Sequence, residues 1–264
     1  MRTLVLPPRY TPDTIAIGRA AAIAGWAVER LSGWRVPDWL RGQDVTLYGE
    51  PLFASVVAAD LGVALLEPPV EWLPGLPAHY RQRDVRLAML EEARRLHRRA
   101  FVKPADEKCF APVVIDSGPE LPGEDILPGN TRILIADAVR WEVEFRCFVR
   151  ERKVVTLSVY LRRGELAQSP DGTWIDERTE AAHEFATSVC TNPAVALPPA
   201  VVVDVGLIES RGWAVVEANA AWGSGIYGSD PSAVLPVVPR SCLRADAVTA
   251  DDDRWVAKTP SDRP

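Results

Sequence analysis

Apolar positions in this chain fall into short β-branched runs separated by segments of helical spacing. Runs at 3–6, 26–31, 44–48 and 63–67 read as strands, and the segments at 12–25 and 51–59 as helices between them. Thr11 and Pro12 read as an N-cap followed by proline at the first helical position; Pro51 opens the second helix and Gly62 stops it. Strands alternating with helices predict a small parallel α/β lobe over 1–78. The lobe carries no glycine-rich phosphate loop. Residues 67–77, EPPVEWLPGLP, are dense in proline and tryptophan and mark a lobe boundary. After it, the spacing of Val85, Met89, Ala93 and Leu96 predicts a helix over 80–99, whose arginines, interleaved with Asp84, Glu91 and Glu92, form a solvated face.

Beyond residue 100 the period changes to two. Strands are expected at 100–104, 110–115, 132–136, 143–149 and 154–160, a helix at 177–190 and a proline-rich link at 192–199. Lys103 and Lys108 flank one tight loop; each is a compact point charge able to reach a phosphate, although a strand lysine often only faces solvent. Over 141–149, alternation puts Glu142, Glu144 and Arg146 on one face and Val143, Phe145 and Cys147 on the other.

Two further apolar runs, 201–208 and 213–218, flank Glu-Ser-Arg-Gly and predict an antiparallel hairpin. A register centred between Ser210 and Arg211 sets Asp204 opposite Glu217, with Asn219 on the same face. Carboxylates roughly 5 Å apart repel and weaken a hairpin unless a cation sits between them. Three oxygen-bearing side chains on one face suit a hard cation, such as Mg²⁺ held by carboxylates and substrate phosphates. The competing readings are a solvated face and a one-residue slip, which sends all three groups elsewhere. Gly223, Gly225 and Gly228 formally match a dinucleotide fingerprint, but Pro231, Pro236 and Pro239 follow where a helix and a returning strand are needed. From 241 to 264 the chain is polar and acidic and reads as a disordered tail.

Composition narrows the partners. The 264 residues are 47% hydrophobic and 25% charged, enough for a sizeable core, and the net charge of -6 argues against a nucleic-acid partner. Four cysteines without a Cys-x-x-Cys pair and three scattered histidines indicate neither zinc nor a disulfide framework. No leader and no apolar run near a span's length of about 20 residues are found, so the expectation is a cytoplasmic protein with no membrane partner.

Taken together, these pieces resemble the ATP-grasp superfamily, and within it the R2K clade of small bacterial proteins. The resemblance is carried by FVKP at 101–104 with Lys108, IAD at 135–137 running to WEVEFR at 141–146, VDV at 203–205, and VEAN at 216–219 leading to GIYG at 225–228. It spans about 80–238; the first lobe matches as a generic pre-ATP-grasp unit. The fold class implied is α/β and α+β: a parallel α/β lobe (1–78), then two antiparallel sheet-plus-helix lobes clasping ATP (79–240).

The resemblance implies ATP and Mg²⁺ as cofactors. Lys103 and Lys108 would contact phosphates; Ile135, Ala136, Asp137 and Val139 would line the adenine; Glu144 would bind the ribose; Asp204, Glu217 and Asn219 would be the magnesium ligands. Many ATP-grasp ligases place a phosphate-binding arginine just before the first metal aspartate, where this chain has Val202 and Val203, and Arg146 is the candidate for that role. Arg146 and Lys108 are thus the expected catalytic cations. The loop between Lys103 and Ile115 also lacks the glycine run of many members. The implied reaction is ADP-forming ligation of a small-molecule or peptide carboxylate to an amine through an acyl phosphate, with Trp222, Gly223, Ser224, Gly225 and Tyr227 placed to meet the substrate. A phosphotransferase and a non-catalytic nucleotide-binding protein remain open beside it, as does a homodimer.

Overall fold

The computed structural model describes residues 2–105 and 109–257. The first lobe begins with β1 (Thr3–Leu6), α1 (Pro12–Ile23), β2 (Ala27–Arg30), β3 (Val45–Leu47), α2 (Pro51–Leu61) and β4 (Val63–Leu65). Thr11 caps α1, its hydroxyl accepting from the Thr14 backbone N–H at 3.2 Å, and Gly62 ends α2 at φ 68°, a left-handed conformation that a residue without Cβ adopts freely. The sheet β2-β1-β3 is parallel, as the alternating pattern predicts.

Helical spacing misleads at 80–99. After the single turns α3 (Trp72–Gly75) and α4 (Ala78–Arg81), the chain forms a strand, β5 (Val85–Met89), and only then one turn, α5 (Leu90–Ala93). The physical reason is pairing with a distant partner: β5 runs antiparallel to β8 (Arg132–Ala136) over five residue pairs, and Val85 and Ala88 are buried. Such tertiary pairing outweighs local propensity. With β6 (Ala100–Pro104) and β7 (Val113–Ile115), these strands make a four-stranded sheet in the order β5-β8-β6-β7. One face carries Ala88, Val102, Ile133 and Ile135 over α5, and the other carries Val85, Phe101, Leu134 and Ala136.

The second sheet is built from β9 (Trp141–Arg150), β10 (Lys153–Arg162), β11 (Glu165–Leu166), β12 (Ala200–Ile208) and β13 (Gly212–Asn219), with α6 (Thr179–Thr191) packed on it. Its order is β11-β10-β9-β12-β13. Under α6 lie Phe145, Cys147 and Val149 with Val201, Val203 and Val205. On the opposite face three cross-strand rows succeed one another: Val202 against Phe148, Asp204 against Arg146, and Gly206 against Glu144. The first row packs into the core of the first lobe, so the charged rows begin where apolar coverage ends.

The chain closes with α7 (Pro231–Val234), β14 (Cys242–Arg244) and α8 (Ala250–Asp253). The expected disordered tail is therefore corrected for 241–257. β14 pairs antiparallel with β4, which stays out of the parallel sheet; Val256 bridges to Leu66, and Trp255 is buried. A few apolar residues in a polar segment suffice to strap it over the lobe boundary. Among the described residues, no helix is long and apolar enough to cross a membrane.

Candidate active site

The acidic hairpin forms by a route the symmetric register did not anticipate. Near its turn the pairs are Ile208 with Gly212 and Val205 with Val215, a register centred on Ser210, whose φ is 64°. Continued regularly, that ladder would set Val216 opposite Asp204 and turn Glu217 toward α6. A bulge between the Asp204 and Val205 pairs instead inserts Val216, and beyond it Asp204 faces Glu217 as expected. Because side chains alternate, one extra residue returns Glu217 and Asn219 to the face of Asp204.

Two cations belonging to the chain answer the repulsion between the carboxylates. Arg146, directly across β9 from Asp204, donates from Nε at 2.9 Å and from Nη2 at 2.7 Å, a bidentate pair with Asp204 wholly buried. Lys103 Nζ donates to Glu217 Oε2 at 2.7 Å. The Asn219 amide links the acids, donating to Asp204 Oδ2 at 3.2 Å and to Glu217 Oε1 at 3.0 Å. Burial pushes the Asp204 carboxyl up, with Arg146 pulling against it. Burial likewise opposes the charge of Glu217, yet Lys103 and Asn219 hold that carboxyl below its ordinary range. The guanidinium of Arg146 lies 5.1 Å from the ring centres of both Tyr160 and Tyr227, and its third nitrogen donates to the Gly225 carbonyl at 3.3 Å.

Glu144 occupies the next row. Tyr160 donates to its Oε2 at 2.9 Å, and burial lifts its carboxyl to about 7. Opposite it, Gly206 is required by space, since a Cβ there would lie 2.7 Å from the Trp141 ring. Because the folded Glu144 binds its proton more tightly than an unfolded glutamate, its ionisation lowers stability progressively from pH 4.5 through 7. Glu144→Gln is therefore expected to stabilise the protein at pH 8 by up to about 3 kcal/mol. The gain should vanish toward pH 4.5; urea unfolding at the two pH values measures it, and an equal gain at both refutes the cause.

Two adjoining cavities meet at this cluster. One, about 1000 Å³, lies between the two sheets and is lined by Val85, Phe101, Ala136, Val139, Trp141 and Glu144, among others. The other, about 610 Å³, lies toward the lobe boundary and is lined by Trp72, Arg132 and Arg254, among others. Lys103, Glu217 and Asn219 border both.

Ala136, Asp137 and Val139 line the larger cavity, but Ile135 points to the opposite sheet face, into the core over α5, because neighbours on a strand alternate. Lys108 lies outside the described residues. Trp222 to Tyr227 folds down onto the first lobe: the Trp222 indole donates to the Leu66 carbonyl at 3.0 Å, Tyr48 donates to the Ser224 carbonyl at 2.8 Å, and Trp222 and Ser224 are buried. None of Trp222, Gly223, Ser224, Gly225 or Tyr227 borders either cavity; Tyr227 reaches the site through Arg146. Sequence reasoning missed Phe101, two residues before Lys103 on the same strand face, which alternation could have found. It also missed Arg83, hidden by the helical reading of 80–99.

Among the described residues, no group of three or more His, Cys, Asp or Glu side chains is arranged to hold a metal. The acidic cluster is two carboxylates and an amide, a hard-oxygen set. Glu217 and Asn219 face the cavities and suit a cation that also takes phosphate oxygens. Asp204 gives both oxygens to Arg146.

Comparison with known proteins supplies a family. The model for the ATP-grasp domain, R2K clade family 2, matches residues 80–237. The solved structures similar in fold include the following two. A RimK domain ATP-grasp protein from Sphaerobacter thermophilus DSM 20745 superposes with a TM-score of 0.53 at 12% identity, covering 90% of this chain and 99% of that one. D-cycloserine synthetase DcsG superposes at 0.58 with 16% identity, covering 89% and 97%. No curated protein matches the sequence.

Proposed function

The chain belongs to the ATP-grasp domains of R2K clade family 2, and from that membership we propose that it is an ATP-dependent, ADP-forming carboxylate–amine ligase. The observation that carries the reading is the meeting of two cavities at Lys103, Glu217 and Asn219. One cavity takes the nucleotide and the other the acid to be activated. The apolar wall of Val85, Phe101, Ala136 and Val139 receives the adenine, and Glu144, at the sheet floor, accepts from the ribose hydroxyls.

Lys103, at the border of both cavities, is the phosphate-binding cation, now paired with a Glu217 carboxylate it can exchange for a phosphate oxygen. Arg146 borders neither cavity and stays bound to Asp204, holding the floor beneath Glu217 and Asn219. Glu217 and Asn219 would hold magnesium, which neutralises charge on the phosphates when bound. A substrate carboxylate oxygen entering from the smaller cavity attacks the γ-phosphorus. The new O–P bond forms as the bond to the β-phosphate oxygen breaks, giving an acyl phosphate and ADP. An amine then attacks the acyl carbon, phosphate departs with the C–O bond's electrons, and the amine proton passes to phosphate or solvent. The chain's contribution is to hold two anions together and compensate their charge.

Isothermal titration with a nonhydrolysable ATP analogue tests the reading. Binding is expected to tighten at least tenfold on adding Mg²⁺, and to be followed, with ATP and suitable carboxylate and amine pairs, by ADP release and an amide product. Absence of analogue binding under either condition overturns it, and a phosphorylated product without an amide replaces it with phosphoryl transfer. A further expectation concerns Lys103→Ala: a loss of at least tenfold in analogue affinity, read in the same titration.

A further inference from the structure

Arg83 sits in the short connection between α4 and β5, and its guanidinium reaches across to the bulged strand. It donates from Nη1 to the Val215 carbonyl at 2.7 Å and from Nη2 to the Val216 carbonyl at 2.9 Å. In a regular strand successive carbonyls point to opposite edges. Two consecutive carbonyls held by one planar fork therefore mark the place where the ladder is broken, and among the described residues β13 is an edge strand, paired only with β12. The fork is itself fixed, by the Arg81 carbonyl at 3.0 Å and by the Trp141 ring, whose centre lies 4.9 Å from Cζ. Burial lowers Arg83 to about 10, so the guanidinium stays charged at neutral pH.

We propose that Arg83 is the positioning residue that holds the β13 bulge, and thereby keeps Glu217 and Asn219 turned into the site. Without the fork, the two carbonyls lose their donors. The strand then frays, or relaxes toward the regular register that aims Glu217 at α6. Lysine cannot replace the fork, because one ammonium does not present two parallel donors. The importance of the clamp for activity rests on the ligase reading, but its geometry can be tested without nucleotide.

The test uses the ion pair of Lys103 and Glu217, close enough at 2.7 Å for a zero-length carbodiimide cross-link identified by peptide mass spectrometry. Arg83→Ala in the full chain is expected to reduce that cross-link at least fivefold, and Arg83→Lys to recover little of it. Deleting Val216 removes the extra residue, so that Val205 with Val215 and Asp204 with Glu217 become successive pairs of an unbroken ladder. In that background the fork has no bulge to hold. The deletion should restore the cross-link to Arg83→Ala within twofold, and Arg83→Ala should have no effect in the deletion variant, a comparison that stands even when the single variant folds poorly.

No reduction by Arg83→Ala, or an undiminished effect of that substitution after the deletion, overturns the proposal. Magnesium-dependent analogue binding is expected to follow the same order. If cross-linking follows it while the wild type binds no analogue, the clamp stands and the ligase reading falls.

Discussion

Arg146→Met is expected to destabilise the protein by about 3–5 kcal/mol at neutral pH, the scale for removing one partner of a buried ion pair. Asp204 is wholly buried and takes both strong hydrogen bonds from this guanidinium, leaving one weaker contact from Asn219. Methionine keeps much of the volume between Tyr160 and Tyr227 but supplies no donor.

The pH dependence has a definite sign. Burial already raises Asp204 in the native protein, and loss of Arg146 raises it further. The folded variant then binds a proton that the unfolded chain releases. Its deficit is greatest above the raised value and shrinks as pH falls toward the ordinary carboxylate range. Urea unfolding at pH 7.5 and pH 5 measures both quantities. Adding Asp204→Leu should recover most of the lost stability, because an apolar pair replaces a buried ion pair at little net cost. A single variant within about 1 kcal/mol of wild type would show that solvent reaches Asp204 and that the pair is not the centre of the fold.

The second large effect is on binding. Glu217→Gln is expected to weaken magnesium-dependent binding of the ATP analogue about 100-fold, about 2.7 kcal/mol, while leaving magnesium-free binding equal or tighter. The two arms separate because Glu217 has two partners. Its carboxylate faces the cavities as a candidate metal ligand and also holds Lys103 at 2.7 Å. Glutamine removes the charge a dication requires, yet frees the ammonium for a phosphate. Titration with and without Mg²⁺ measures both arms. An equal loss in both would make Glu217 a structural residue, and no loss in either would remove it from the site. The side chain is about one-third exposed, so the expected cost to stability is small beside that of Arg146→Met.

Much of this site was legible along the chain, and the reason is local. A period of two from Trp141 onward put Glu144 and Arg146 on one face, and two β-branched runs around Glu-Ser-Arg-Gly placed Asp204 and Glu217 together. Strand alternation and a turn between apolar runs are properties of neighbouring residues, so a single sequence states them. The family resemblance rested on those same positions, and the matched span of 80–237 covers them.

Distant contacts decided the rest. The segment at 85–89 has helical spacing in isolation and becomes a strand only because residues 132–136 pair with it. The bulge at Val216 is written in neither run; it is stabilised by Arg83, 132 residues from its first acceptor. Lys103 meets Glu217 across 114 residues and Arg146 meets Asp204 across 58. The polar residues after Arg240 looked like a tail because the edge of β4 that they cover is invisible from their own composition. Sequence by itself determined the strands from Trp141 onward and, away from the Val216 bulge, which of their side chains share a face, since backbone sterics and hydrophobic alternation act within a few residues. Tertiary structure alone decided which charges neutralise one another and which loops are tied down, because those energies exist only once separate segments are brought together and dried.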